Sequence, residues 1–300
     1  MSPHHHPNAA DHAHLPVAWQ KIYAAQSADQ LRDVYAEWCA AYDTDSVHDY
    51  GYAAPRRAAE ELHRHLQQRG DTDNEDKQHT RTTTTTTNNN NNNACTTSPF
   101  AARIVDIGAG TGLVGQYLQA LAAATCDAMV PHDTTTTITP TTNSHTTTTN
   151  NNNNNNNNSY KHLVAMDFSP AMLAVARQKQ CYDALYEVDL NQSVAVLEAQ
   201  QQTRFYQAFD AAVSVGTFTD NHLGIPALYH VLDMIKPGGF LTLSLTELFA
   251  RDTSNGFVAE LQALVDRGTL APVEVTEPEL YTSKVSETLK FRIWTYRVLK

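Results

Sequence analysis

Asp106-x-Gly108-x-Gly110-x-Gly112 is the stretch of this chain best suited to chemistry. Glycines at alternate positions permit positive φ and leave no Cβ in the way of a ligand. Before them, residues 103–107 hold β-branched Ile104, Val105 and Ile107, which suit a strand buried on both faces. After them, Leu113, Val114, Tyr117, Leu118 and Leu121 recur at helical spacing. A helix N-terminus facing a glycine turn favours negative charge through its free N–H groups and dipole. Such a strand–turn–helix unit cradles a nucleotide-like ligand.

Which ligand decides the chemistry. Gly110 to Gly115 matches the dinucleotide pattern G-x-G-x-x-G, but three fixed glycines are a weak signal. Asp106 argues otherwise. An acid at the strand end would sit beside a dinucleotide's phosphates, whereas it suits a ligand carrying an ammonium, as S-adenosylmethionine does.

Two further apolar runs also close on acids, Asp167 and Asp189. In open α/β sheets, ligands bind outside the carboxyl ends of the strands. Asp167 is placed to accept both hydrogens of a ribose diol, in charge-strengthened bonds. That acid is equally expected for NAD, so it supports an adenosine without choosing the cofactor. Asp189 would receive an adenine amino group, with Phe168 and Leu190 in apolar contact with the base. Gly216 closes a fourth run, and His222 follows it as the best candidate base, with Asp220 weaker.

These groups need a scaffold. Strands are expected at 103–107, 162–167, 184–189, 209–216 and 240–245, with two more at about 272–280 and 288–298. Helices alternate with them: Ser169-Pro170 starts one, Pro226 starts another, and a third spans about 256–268. Lys236-Pro-Gly-Gly239 is a type II turn. The fold class is therefore α/β: a doubly wound, mostly parallel seven-stranded sheet, Rossmann-like, with an antiparallel C-terminal hairpin at one edge. Ahead of it, Ser27 and Gln30 form a capping box for a helix carrying Leu31, Val34, Tyr35, Trp38 and Tyr42. A second helix is expected from Pro55 to Gly70.

Composition divides the chain. Thr82–87, Asn88–93, Thr134–137, Thr146–149 and Asn150–158 are homopolymer runs, unable to bury apolar surface and so expected to be disordered. The expected organisation is a disordered leader at 1–26 and a helical cap at 27–70. A low-complexity linker at 71–99 and a ligand-binding domain at 100–300 follow, the latter interrupted at 126–160. A net charge of -11 speaks against a nucleic-acid partner. No apolar run reaches membrane-spanning length and no signal-peptide core opens the chain, so a cytoplasmic protein is expected. Cys39, Cys95, Cys126 and Cys181 form no metal-like pair and are expected as reduced thiols. No metal site is expected, and the sequence leaves the oligomeric state open.

Together, Asp106–Gly112, Met166-Asp-Phe-Ser-Pro-Ala-Met-Leu173, Asp189-Leu190 and Lys236-Pro-Gly-Gly239 resemble the ordered motifs of class I S-adenosylmethionine-dependent methyltransferases. The resemblance covers about residues 30 to 300 apart from the tracts. Tyr35-Ala-Glu-Trp-Cys-Ala-Ala-Tyr-Asp43, Tyr50-Gly-Tyr-Ala-Ala-Pro55 and Gly216-Thr-Phe-Thr-Asp-Asn-His222 are similar to the Williams–Beuren-region methyltransferase-like family. Met166 before the ribose acid and Asn221 before His222 depart from the small residues expected there. The resemblance implies methyl transfer to a small-molecule acceptor and places Tyr42 over the methionine end of the cofactor.

No Asn/Asp-Pro-Pro-Tyr follows the fourth strand, which speaks against methylation of an adenine or glutamine amino group. Two rivals stand beside this reading. An NAD(P)-dependent oxidoreductase of the short-chain type would need Tyr-x-x-x-Lys, found only at Tyr296–Lys300 on an expected edge strand. A non-catalytic subunit would keep the fold and the cofactor residues.

Overall fold

In the computed structural model, residues 16–79, 99–127, 159–219 and 222–300 are described. The Thr/Asn tracts, Cys95, Asp220 and Asn221 lie outside them.

The central strand β1, Arg103–Ile107, pairs in parallel with β2, His162–Asp167, on one side and with β4, Phe209–Ser214, on the other. Beyond β2 lies β3, Ala184–Glu187, and beyond β4 lies β5, Ile235–Thr246, both parallel to their neighbours. The C-terminal strands β6, Leu270–Val275, and β8, Lys290–Val298, are antiparallel. The order is β3-β2-β1-β4-β5-β8-β6, with the two-residue β7, Glu279–Leu280, pairing β8 to make eight strands. This is the doubly wound, mainly parallel sheet that the alternation of elements predicts. One detail differs: β8 enters between β5 and β6, leaving β6 at the edge. Its register against β5, Phe240 with Arg297 through Thr246 with Phe291, is longer than that of any hairpin partner.

Helices cover both faces. Ile104, Leu163, Ala211, Val213, Phe240 and Ile293 pack with Leu62, Leu66, Val114 and Leu118. Those four lie on α3, Ala54–His79, and α4, Leu113–Asp127. On the opposite face, Val105, Ile107, Val164, Met166 and Ala212 pack with Leu197, Leu228, Val231 and Leu261. Here the helices are α6, Val194–Gln201, α7, Ile225–Met234, and α9, Phe257–Asp266. α5, Pro170–Gln178, sets Leu173 against Ala165 and Ala109. Two-sided burial explains why β1 and β2 read as unbroken apolar runs. Neither α6 nor the short α8, Glu247–Arg251, stands out in the sequence. α6 is two turns of Val, Ala and Gln with too little apolar periodicity to notice.

The N-terminal region departs most from expectation. Within the supposed leader, Val17–Ala24 forms helix α1 and buries Trp19 and Ile22. α2 spans Ala28–Trp38 and is capped as expected: Ser27 Oγ accepts from Gln30 N–H. Gln30 Oε1 reaches one residue further back than a capping box requires, to Gln26 N–H at 2.7 Å. α3 is not part of a cap. It lies on the sheet face and its backbone stays helical nine residues past Gly70, into the supposed linker. A glycine inside a helix costs only about 1 kcal/mol relative to alanine, so it does not compel a stop. What covers the strand ends is α1 and α2. Their cluster of Trp19, Ile22, Leu31 and Trp38 packs with Tyr42, Phe168 and Tyr281.

Candidate functional site

β1 lies where the chain order reverses, with β2 on one flank and β4 on the other. The carboxyl ends of these strands open into a cleft at this point, the usual place for a ligand in such a sheet. The cleft has two lobes, each about 1010 Å³ of empty space counting its open mouth. Gly108, Asp167, Phe168, Thr217 and His222 line both. The first lobe adds Ser27, Leu31 and Arg32 of the α2 region and Val188 to Asn191 after β3. The second adds Trp19, Tyr35, Trp38, Tyr42, Tyr52, Gly216, Ser244 and Tyr281.

The glycine turn takes the shape that its glycines permit. Gly108, Gly110 and Gly112 have φ of 67°, 55° and 85°. A Cβ on Gly110 would meet nothing within 4 Å, so this residue presents bare backbone to the cleft. A Cβ on Gly108 would lie 2.2 Å from Thr217 Oγ1, so glycine is obligatory there. Gly110 N–H donates to Asp167 Oδ2 at 2.8 Å, and Ser169 N–H donates to Asp167 Oδ1 at 2.8 Å. Burial raises the Asp167 carboxyl to about 6, against the pull of these N–H bonds.

Asp106 and Gly112, expected against the ligand, lie beneath the turn instead and line neither lobe. Tyr182 Oη donates to Asp106 Oδ2 at 2.6 Å and accepts from Gly115 N–H at 3.1 Å. A Cβ on Gly112 would stand 2.9 Å from the Tyr182 ring, and one on Gly115 2.4 Å. Gly112 and Gly115 therefore admit this ring, and Tyr182 takes one oxygen of the acid expected to meet a cation. Burial raises Asp106 to about 7, while the Tyr182 bond pulls the other way.

The remaining expected residues are on the cleft. Asp189 is exposed and its Oδ1 accepts from both Asn191 nitrogens at 3.0 Å; Leu190 beside it is buried. Phe168 sits under Arg32, whose guanidinium lies 5.4 Å from the ring centre, and its carbonyl accepts from Arg32 Nε. Tyr42 packs on Trp38 at 4.6 Å between ring centres. His222 Nε2 lies 2.9 Å from Tyr35 Oη. Gly216, with φ of 67°, stands where a Cβ would be 2.8 Å from Tyr52 Oη.

Several lining residues escaped the sequence reading. Trp19, Ile22 and Tyr23 recur at helical spacing, a signal obscured by the polar residues before Pro16. Asp43 also escaped: its carboxylate accepts from Thr111 Oγ1 and pairs with Lys179 Nζ, each at 2.5 Å, pinning the cap to the glycine turn. Tyr281 carries no local signal, because only the fold brings it to Tyr52.

These features permit a test of cofactor fit. Asp167 is the one formal charge on the second lobe among the described residues, and no Lys or Arg joins it. A phosphate at this turn would lie against Asp167, and Arg32 on the first lobe is already bonded to Asp29 and the Phe168 carbonyl, so two phosphates would be costly there. A ligand with a ribose diol and a positive centre suits it.

No family model matches the chain, and no curated protein does. Among solved structures the chain is similar in fold to a 1,6-didemethyltoxoflavin-N1-methyltransferase of Burkholderia thailandensis, crystallised with S-adenosylhomocysteine. There the identity is 14%, 92% of each chain is covered and the TM-score is 0.47. It is similar also to an S-adenosylmethionine-dependent methyltransferase of Thermotoga maritima, described as a possible histamine N-methyltransferase. That match has 13% identity, 93% of this chain and 99% of that one, and a TM-score of 0.44. A TehB-like methyltransferase of Corynebacterium glutamicum matches at 14% identity over 67% of this chain and 83% of that one, with a TM-score of 0.38. The likeness is one of fold.

Proposed function

We propose that the chain binds S-adenosylmethionine in this cleft and transfers its methyl group to a small-molecule acceptor. The carrying observation is Asp167, a buried acid shared by both lobes and held against the bare backbone of Gly110. In this reading Asp167 accepts the ribose hydroxyls. Asp189 receives the adenine amino group, with Leu190 and Phe168 beside the base. Gly108, Gly110 and Gly216 give close backbone approach, and Tyr42 borders the methionine end. Asp106 and Gly112 hold the turn from beneath through Tyr182.

When bound, this cofactor supplies an electrophilic methyl: the acceptor's lone pair takes the carbon, the S–C pair stays on sulfur, and S-adenosylhomocysteine is left. The protein's part is largely positioning, because holding two reactants in line removes much of the barrier. An acceptor that must lose a proton needs a base within reach. His222 lines both lobes, and Tyr35 Oη fixes its ring. Tyr35 and His222 lie in two of the three segments that are similar to the Williams–Beuren-region family.

Calorimetric titration with S-adenosylmethionine, S-adenosylhomocysteine and NADH tests the cofactor. The expected result is micromolar-range binding of the first two and none of NADH; NADH binding alone would overturn the proposal. A labelled-donor screen over phenols, amines and small acids then distinguishes an enzyme from a subunit that only keeps the cofactor.

A further inference from the structure

The second lobe differs in kind from the first. It is walled by aromatic rings from four parts of the chain: Trp19 of α1, Tyr35 and Trp38 of α2, Tyr42 and Tyr52 before α3, and Tyr281 after β7. The rings hold one another in place. Trp19 meets Tyr281 edge-on at 5.8 Å, Trp38 and Tyr42 pack at 4.6 Å, and Tyr52 and Tyr281 at 4.9 Å. Trp38 Nε1 is itself tied to Asp45 Oδ2 at 2.7 Å. This is a preformed cage rather than a set of loose side chains.

Two chemical facts define what such a cage accepts. The first is the wall itself, which is rich in aromatic rings and, apart from Asp167, carries no formal charge among the described lining residues. The second is the polar anchor. Tyr281 Oη donates to Tyr52 Oη at 3.2 Å, and among the described residues Tyr52 gives its own hydroxyl proton to no partner. Both hydroxyls stand over Gly216, within 2.8 and 3.3 Å of where its Cβ would be. Burial raises both phenols, so they stay protonated as donors at neutral pH.

We infer that the aromatic part of the second lobe, beyond the methionine end of the cofactor, is the acceptor site and that it takes a flat aromatic or heteroaromatic molecule, anchored by a hydrogen bond from the Tyr52 hydroxyl to a ring heteroatom or substituent oxygen. The inference rests on the methyltransferase reading for the word acceptor, but the binding preference stands on the cage alone. Packing against rings in offset or edge-on geometry rewards flat ligands beyond simple burial. Tyr52 thus sets specificity.

Two matched probes test this by calorimetry, with and without saturating S-adenosylhomocysteine: α-naphthol and α-decahydronaphthol. Naphthol is expected to bind, and the saturated alcohol to bind up to about tenfold more weakly. Tyr52→Phe is expected to weaken naphthol about fivefold, the loss of one ordinary hydrogen bond, and to leave S-adenosylhomocysteine affinity unchanged. Equal binding of the saturated alcohol would overturn the inference, as would an unchanged naphthol affinity in Tyr52→Phe. If S-adenosylhomocysteine fails to bind while the naphthol preference holds, the cofactor reading falls and the cage preference stands. If S-adenosylhomocysteine binds and naphthol does not, the cage inference alone falls.

Discussion

Tyr35 Oη and His222 Nε2 lie 2.9 Å apart although 187 residues separate them in sequence. The contact joins helix α2, which roofs the cleft, to the loop after β4, which borders it. Tyr35 also meets Phe168 edge-on at 6.2 Å, so one ring touches both the expected base and the expected cofactor neighbour. Burial holds the Tyr35 phenol well above its ordinary value, with Tyr42 and Asp167 pushing the same way. It therefore acts as a neutral hydroxyl that orients the imidazole, and a loose cap would leave His222 without that support.

For an acceptor that loses a proton, His222→Ala should lower turnover about 100-fold or more while cofactor affinity stays the same. Tyr35→Phe should lower it less, since the ring remains and only its tether is lost. The measurement is turnover against pH for wild type and both variants. Equal rates and equal pH profiles would take His222 out of the mechanism and leave positioning to carry it.

Asp167→Ala should weaken S-adenosylmethionine binding by about 1.5–3 kcal/mol for each ribose hydroxyl lost. The raised Asp167 carboxyl adds a pH signature. Above about 6 it is a charged acceptor, and below that value it takes a proton and loses acceptor strength. Affinity should therefore fall as pH drops through about 6, by up to about tenfold per pH unit. Asp167→Asn should bind weakly and show no such slope. Dissociation constants across that range decide it, and an unchanged constant for Asp167→Ala would remove the assignment.

Much of this is legible in the sequence, and the reasons are local. β1 and β2 announce themselves because both faces are buried, and Ser169-Pro170 starts α5 by capping chemistry that works over three residues. Asp167, Leu190, Gly216 and His222 follow from strand ends. Trp19, Tyr52 and Tyr281 do not, because their common wall exists only when α1, the segment before α3 and β7 meet. Asp106 differs: a strand-end acid faces one side or the other, and Tyr182, 76 residues away, takes one of its two oxygens.

The second Thr/Asn tract offers a separate check. α4 ends at Asp127 and β2 begins at His162, and Tyr160 just before it is buried, its hydroxyl 2.8 Å from His63 Nδ1. Removing residues 132–158 and closing with a short glycine-serine linker spares those contacts. Loop closure changes by only about 0.6 kcal/mol per doubling of length. Melting temperature and cofactor affinity should stay nearly the same. A large drop in melting temperature would show that the tract contributes to the folded core.

The last expectation concerns Asp106 and its bond to Tyr182. Burial raises this carboxyl to about 7, so the folded chain holds its proton more tightly than the unfolded chain, where aspartate titrates near about 3.9. A group raised in this way contributes its stability in full below the unfolded value and loses it as pH climbs through the folded one. Wild type should accordingly lose melting temperature between about pH 4 and about pH 7. Asp167 is raised in the same sense, so the two acids share the slope. Asp106→Asn keeps an oxygen for the Tyr182 hydroxyl and removes one titration, so its melting curve should be flatter and cross above wild type near the upper end. Tyr182→Phe keeps the ring that fills the space left by Gly112 and Gly115 but strips the bond that lowers Asp106. Its decline should start from a lower stability and continue to a higher pH than that of wild type. Parallel melting curves for wild type and Asp106→Asn across this range would show that Asp106 does not carry the proton assigned to it.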